Sequence, residues 1–193
     1  MPVQPARTDL AARPAVDADL LARLRAGDDA VFREVYEAYR ARLYSFLLRL
    51  TRDETLALDL AQETWLRLAA NAVRLTPDTE LGAWLFRVAR NLFVSQRRWA
   101  IVQAAGLATL GLAPPPKLPS ALEQASMTAL ERRLELGIAA MPLRYREVVL
   151  LIAVEGFAAP RVADMLGISH AAVRQRLARG RAMLRTCLED GQP

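Results

Sequence analysis

Six helix-breaking residues fall among the twenty positions from Ala100 to Pro119: Gly106, Gly111, Pro114, Pro115, Pro116 and Pro119. Proline donates no amide hydrogen and its ring clashes with the preceding turn, while glycine costs a helix about 1 kcal/mol relative to alanine. No helical stripe survives such a stretch. It predicts a linker, residues 100–119, extensible to at most roughly 65–70 Å and dividing the chain into two lobes. Before it, residues 1–18 carry Pro2, Pro5 and Pro14 and read as an arm. The first lobe, 19–99, is then expected to hold helices near 19–26, 28–50, 53–74 and 80–99. Its clearest pattern is Val31, Val35, Tyr39, Leu43, Phe46, Leu47 and Leu50, which recur at helical spacing. The second lobe, 120–188, opens on a capping box of Ser120 and Glu123 and is expected to hold helices near 121–139, 142–155, 159–166 and 169–188, leaving 189–193 as a tail. No period-2 run of strand length occurs, so the fold class is all-α, in two helical domains joined by a Pro/Gly-rich linker.

The charge balance narrows the partners. The chain has 193 residues and a net charge of +5, and Lys117 is its only lysine, so almost every cation is arginine. Arginine presents a planar, permanently charged fork suited to phosphates and guanine edges. Cys187 is the single cysteine and His170 the single histidine. One thiol makes no internal disulfide, and no Cys/His cluster offers a metal site, so no cofactor or metal is expected. No stretch approaches the ~20 apolar residues of a membrane helix and no leader-like run opens the chain, so the expected location is cytoplasmic, without membrane insertion. Enzyme chemistry is not expected either, for want of a nucleophile–base pair, a phosphate loop or a metal set.

The most specific pattern runs from Phe157 to Arg185. Ala163, Gly167 and Val173 stand where a helix-turn-helix needs a small residue for a close crossing, a glycine for a left-handed turn, and an apolar residue to lock the second helix. Ser169 is a good N-cap for that helix. Winding it at about 100° per residue puts Val173, Leu177 and Leu184 on one side. Ala171, Gln175, Ala178, Arg179 and Ala182 lie opposite, with Arg174 and Arg176 flanking. Alanines let a backbone approach a groove, and Gln and Arg reach base edges or phosphates. Five arginines and no acid fall between Ser169 and Leu188, which favours DNA over a merely solvated basic face.

Two faces of the first lobe also invite a role. On the helix from Asp53, Leu60, Ala61, Trp65 and Leu68 form an apolar arc, and the opposite arc gathers Asp59, Gln62, Glu63 and Leu66. That arc suits a protein with a basic surface, or is simply solvated. On the helix from Glu80, Leu81, Leu85, Val88 and Leu92 point inward. A separate stripe collects Trp84, Arg87, Asn91 and Arg98, with Arg90 and Arg97 beside it. Such a stripe could receive unstacked bases and a strand backbone, although Trp84 reads equally well as a core residue. The turn Thr76-Pro77-Asp78-Thr79 precedes it.

With these features in place the chain resembles a known family. DLAQETWL at 59–66, AWLFRVARN at 83–91 and the whole of 141–188 are similar to the sigma factors of bacterial RNA polymerase, in the small two-domain extracytoplasmic-function version. The resemblance implies that Asp59, Gln62 and Glu63 grip core polymerase. It implies that the Thr76–Thr79 loop, including Asp78, captures an unpaired base of the −10 element together with Asn91, beside Trp84 and Arg87. It further implies that Arg174, Gln175, Arg176 and Arg179 contact the −35 element of promoter DNA, and that an anti-sigma protein restrains the chain. Three departures from the family pattern bear on individual contacts: Ala158-Ala159-Pro160-Arg161 where a hydroxyl, an aromatic and acids are usual, Ala172 in place of threonine, and Ser95-Gln96 before Arg97 and Arg98. The rival readings are a stand-alone helix-turn-helix activator and a sigma-mimicking adaptor that only binds an anti-sigma protein.

Overall fold

The computed structural model describes residues 18–109 and 128–189, and all secondary structure among them is helical. The arm up to residue 17, the final residues 190–193 and the segment 110–127, which includes the proline cluster and the Ser120–Glu123 box, lie outside the described residues. The elements are α1 (Ala18–Arg25), α2 (Asp29–Thr51), α3 (Glu54–Asn71), a 3-10 turn (Ala72–Arg74), α4 (Leu81–Thr109), α5 (Ala129–Ala140), α6 (Leu143–Val149) running into a π-helical turn (Leu150–Val154), α7 (Ala159–Leu166) and α8 (His170–Glu189).

The first lobe is built on α2. All seven residues of its sequence stripe are buried, from Val31 to Leu50. Its start is fixed by Asp28, whose carboxylate accepts the amides of Ala30 and Val31 and is gripped by the Arg23 fork at 2.8 and 3.0 Å. That hydrogen bond from Arg23, followed by the one from the Val31 amide, holds the Asp28 carboxyl below its ordinary range. Arg52 ends the helix in the left-handed region at φ 62°. Against α2 lie Ala57, Leu60, Thr64 and Leu68 of α3, and Trp65 packs its ring on Phe32 and Tyr36.

Helix α4 differs from expectation in two ways. It continues to Thr109, so the linker does not begin at Ala100. The reason is local: residues 100–109 contain no proline, Gly106 is a weak breaker by itself, and four alanines favour the helix. It is also buried on two sides. Leu81 and Leu85 face inward as the stripe requires, but Ala83, Phe86, Ala89 and Phe93 are buried as well, while Val88 and Leu92 are only half-buried.

The second lobe supplies the other side. Its α5 starts at a capping box formed by Thr128 and Glu131, with both reciprocal hydrogen bonds present. Helix α8 crosses α6 closely, and Gly180 makes this possible. A Cβ there would come within 2.5 Å of the Val149 Cγ2.

The two lobes pack on each other. Phe157 meets Phe86 edge-on at 5.4 Å between ring centres, and Phe86 in turn meets Phe46 at 5.1 Å. A belt of ion pairs rings this contact: Arg42–Glu155 at 3.0 Å, Arg49–Glu135 at 2.7 Å, Arg90–Glu147 at 3.0 Å and Arg161–Glu80 at 2.8 Å. Inside the belt, Arg146 of α6 donates to the carbonyls of Arg49 and Leu50 at the end of α2, and to those of Ala139 and Met141 in its own lobe.

One consequence is measurable. Gly180→Ala forces a methyl into Val149, and overpacking of this kind costs about 1–3 kcal/mol. Urea unfolding of the variant should show that loss, with secondary structure otherwise kept.

Candidate nucleic-acid interface

The helix-turn-helix forms as its residues dictate. Ala163 and Val173 are buried at the crossing of α7 and α8. Gly167 takes φ 65° and its amide closes the turn on the carbonyl of Ala163. Ser169 caps α8 by accepting the Ala172 amide at 3.1 Å. Ala158 gives α7 no side-chain cap, and Pro160 occupies its first turn, where a missing amide hydrogen is harmless. This fixes the pitch of α8 so that Arg174, Gln175 and Arg179 stand exposed on the outer side, with Ala171, Ala178 and Ala182 exposed among them.

Residues of α6 meet the cations of α8. Hydrogen bonds from Arg144 and then from Arg179 lower the Tyr145 phenol from its usual pKa. Arg176 is half-buried and pairs with Glu147 at 3.3 Å. Sequence reasoning had singled out neither Tyr145 nor Glu147. A signal existed for Glu147, an acid immediately before the apolar run Val148-Val149-Leu150-Leu151, because a carboxylate buried among aliphatics must be paired.

On α4, Arg87, Asn91, Arg97 and Arg98 are exposed on one stretch of surface, and Trp84 is half-buried at its start. Both features of Trp84 are therefore present: its body packs against the core and part of its surface stays open. Arg90 donates to the Asn91 Oδ1 at 3.3 Å, which orients the amide. The Thr76–Thr79 turn is closed by the Thr79 amide on the Thr76 carbonyl at 2.9 Å and by the Thr76 amide on the Thr79 hydroxyl at 3.0 Å. Asp78 sits exposed in that turn.

On α3, Asp59 and Gln62 are exposed and Glu63 pairs with Arg67 at 2.9 Å, one turn along the same helix. Leu66 is 57% exposed and Leu58 54% exposed, so apolar surface accompanies the polar groups. Surface pairs of the Glu63–Arg67 kind are worth little, so Glu63 remains available to a partner. Among the described residues no group of three or more His, Cys, Asp or Glu could hold a metal ion, and no helix is long and apolar enough to cross a membrane.

The two lobes with these three surfaces coincide with two family models. Sigma-70 region 2 matches residues 35–100, and Sigma-70, region 4 matches residues 131–184. The ECF RNA polymerase sigma factor SigL of Mycobacterium tuberculosis is 31% identical over 169 residues, which is 86% of this chain and 93% of SigL. The chain belongs to the ECF RNA polymerase sigma factors. A second relative of this sigma factor, the probable RNA polymerase sigma factor RfaY of Xanthomonas campestris pv. campestris, is 33% identical over 83% of the chain, although the chain spans only 41% of that relative. Among solved structures, the sigma factor RpoE of Bartonella quintana, in complex with the anti-sigma factor NepR, shares the fold with a TM-score of 0.69. That likeness covers 83% of this chain and 98% of the other at 23% identity.

The matched stretches contain α4 up to Ala100 and most of α8, so both arginine-bearing surfaces lie inside the family regions. The cap at Ser169 sets how α8 presents its arginines. Ser169→Ala should lower stability by about 1 kcal/mol in chemical unfolding, with unchanged helical content at low denaturant.

Proposed function

We propose that this sigma factor brings core RNA polymerase to promoters through three surfaces with separate tasks. The α3 face of Asp59, Gln62 and Glu63, with Leu66 beside it, docks on core polymerase. The Thr76–Thr79 turn with Asp78, together with Trp84, Arg87 and Asn91 of α4, receives an unpaired base of the −10 element. The outer side of α8 reads the −35 element through Arg174, Gln175, Arg176 and Arg179. The working units in this reading are residues 19–99 and 120–188. The observation that carries it is the coincidence of two family regions on one chain, each presenting exposed arginines on a single helix.

Each task has a physical basis. Arginine–phosphate contacts supply affinity without sequence preference, and Gln and Arg in a major groove supply the preference. An exposed amide held by a neighbouring arginine is suited to the Watson–Crick edge of a flipped base, and a half-open tryptophan to stacking. The protein would act by positioning and not by bond chemistry, hence as a non-enzyme without a cofactor, in the cytoplasm where polymerase and DNA are found. Restraint by an anti-sigma protein is supported by the fold it shares with RpoE, solved with NepR. A stand-alone activator would have no use for a polymerase-docking face, and a sequestering mimic would have none for exposed arginines on both helices.

Three experiments test these assignments. Gel shifts should show weak, salt-sensitive DNA binding by the chain alone and spacing-dependent promoter binding once core polymerase is added. Reversing charge with Asp59→Lys and Glu63→Lys should abolish polymerase pull-down with little change in DNA affinity. Tight specific binding by the chain alone would instead indicate an activator. Arg179→Ala should weaken −35 binding by about 1–3 kcal/mol and relax preference at one base pair. Unchanged selection from a −35 library would remove Arg179 from base reading.

A further inference from the structure

Glu147 occupies an unusual place in the seam between the lobes. Its residue exposure is 3%, and its two carboxylate oxygens are divided between two arginines. Oε2 takes Arg90 of α4 at 3.0 Å, and Oε1 takes Arg176 of α8 at 3.3 Å. One cation thus comes from each helix that faces DNA in the reading above, and each is drawn to an anion of the protein. The two guanidinium groups lie within roughly 10 Å of one another, two hydrogen-bond lengths plus the width of a carboxylate. Promoter elements two turns of B-DNA apart would hold their readers roughly 70 Å apart. One carboxylate cannot serve both arrangements. The rest of the belt points the same way, since Arg161 at the start of α7 holds Glu80, next to the Thr76–Thr79 turn.

We propose that Glu147 is an intramolecular latch: it keeps the two lobes shut and withholds Arg90 and Arg176 from nucleic-acid phosphate, so that DNA and this carboxylate compete for the same arginines. The competition is between like chemistries. A carboxylate and a phosphate both accept charge-assisted hydrogen bonds from a guanidinium. The latch holds in the free chain because the carboxylate is local and shielded from water, whereas phosphates must be bound from solution. A binding partner that separates the lobes breaks the Arg90 pair and exposes Glu147 to water, which weakens its hold on Arg176 as well. Opening therefore raises DNA affinity without any new contact. The polar belt and the Phe86–Phe157 contact set how much work a partner must do.

The shut state can be tested without polymerase or promoter. Dyes on Ala70→Cys and Thr186→Cys in a Cys187→Ser background report the separation of the lobes by single-molecule energy transfer. Fluorescence anisotropy on a short duplex of mixed sequence reports phosphate affinity. The parent should give one high-transfer population. Glu147→Gln, which keeps the shape and removes the charge, should shift most molecules to low transfer and tighten duplex binding about tenfold, the equivalent of one charge-assisted hydrogen bond. Glu155→Gln breaks the Arg42 pair, to which neither DNA-facing arginine belongs. It should raise the low-transfer population while leaving duplex affinity nearer the parent's, and it tests compaction even if Glu147→Gln fails to fold. A parent already extended in solution, a Glu147→Gln chain unchanged in either readout, or a Glu155→Gln chain as shut as the parent overturns the latch. None of these readouts needs the sigma reading, on which only the biological consequence rests. Latch results as expected together with absence of polymerase-dependent binding would overturn that reading alone.

Discussion

A single buried guanidinium ties the architecture together. Among the described residues Arg146 has no acid as its hydrogen-bond partner; its donors go to the carbonyls of Arg49 and Leu50 at the end of α2 and of Ala139 and Met141 at the end of α5. The last carbonyls of a helix lack partners within the helix and carry its negative dipole end, so a cation placed between two such ends is doubly favoured. Burial pushes the Arg146 pKa down from its ordinary value, with the Arg52 and Arg97 charges adding to the effect. Arginine starts so high that it stays charged there, where a lysine would be poorer in both donors and charge retention. Removing it would leave carbonyls from both lobes facing each other without a donor.

The surrounding seam uses the chemistry that the protein is argued to use on DNA. Arg42, Arg49 and Arg90 of the first lobe each take a carboxylate of the second, and Arg52 takes the Ala139 carbonyl. An arginine-rich composition thus supplies internal cohesion and, in the function proposed above, phosphate binding. A polar seam of this kind can be opened at low cost because water and phosphate replace its partners. The apolar contact between Phe86 and Phe157 is the part that water does not replace.

What could be read from the sequence follows from what periodicity senses. The stripe on α2 named every buried residue of that helix because the helix buries one face. The turn of Gly167, the small Ala163 and the cap at Ser169 were legible because each residue type answers a local backbone demand. Phe86, Ala89 and Phe93 escaped a single-stripe reading, since α4 is packed from two sides and the second comes from a lobe far along the chain. Glu147, Tyr145 and Arg146 escaped for the same reason: their partners are set by tertiary packing, with Arg146 reaching back 96 positions to Leu50. A linker starting at Ala100 gives Gly106 the weight of the prolines, although its own cost to a helix is small and α4 continues to Thr109.

The central claim, that these lobes together direct polymerase to a promoter, is tested most directly by run-off transcription with purified core enzyme. Templates should carry one promoter with the spacing between its two elements varied base pair by base pair. The account predicts a transcript from a fixed start that appears only when the chain is present and falls away on either side of one optimal spacing. A transcript of equal strength at every spacing, or none from any promoter in a broad library, would contradict it.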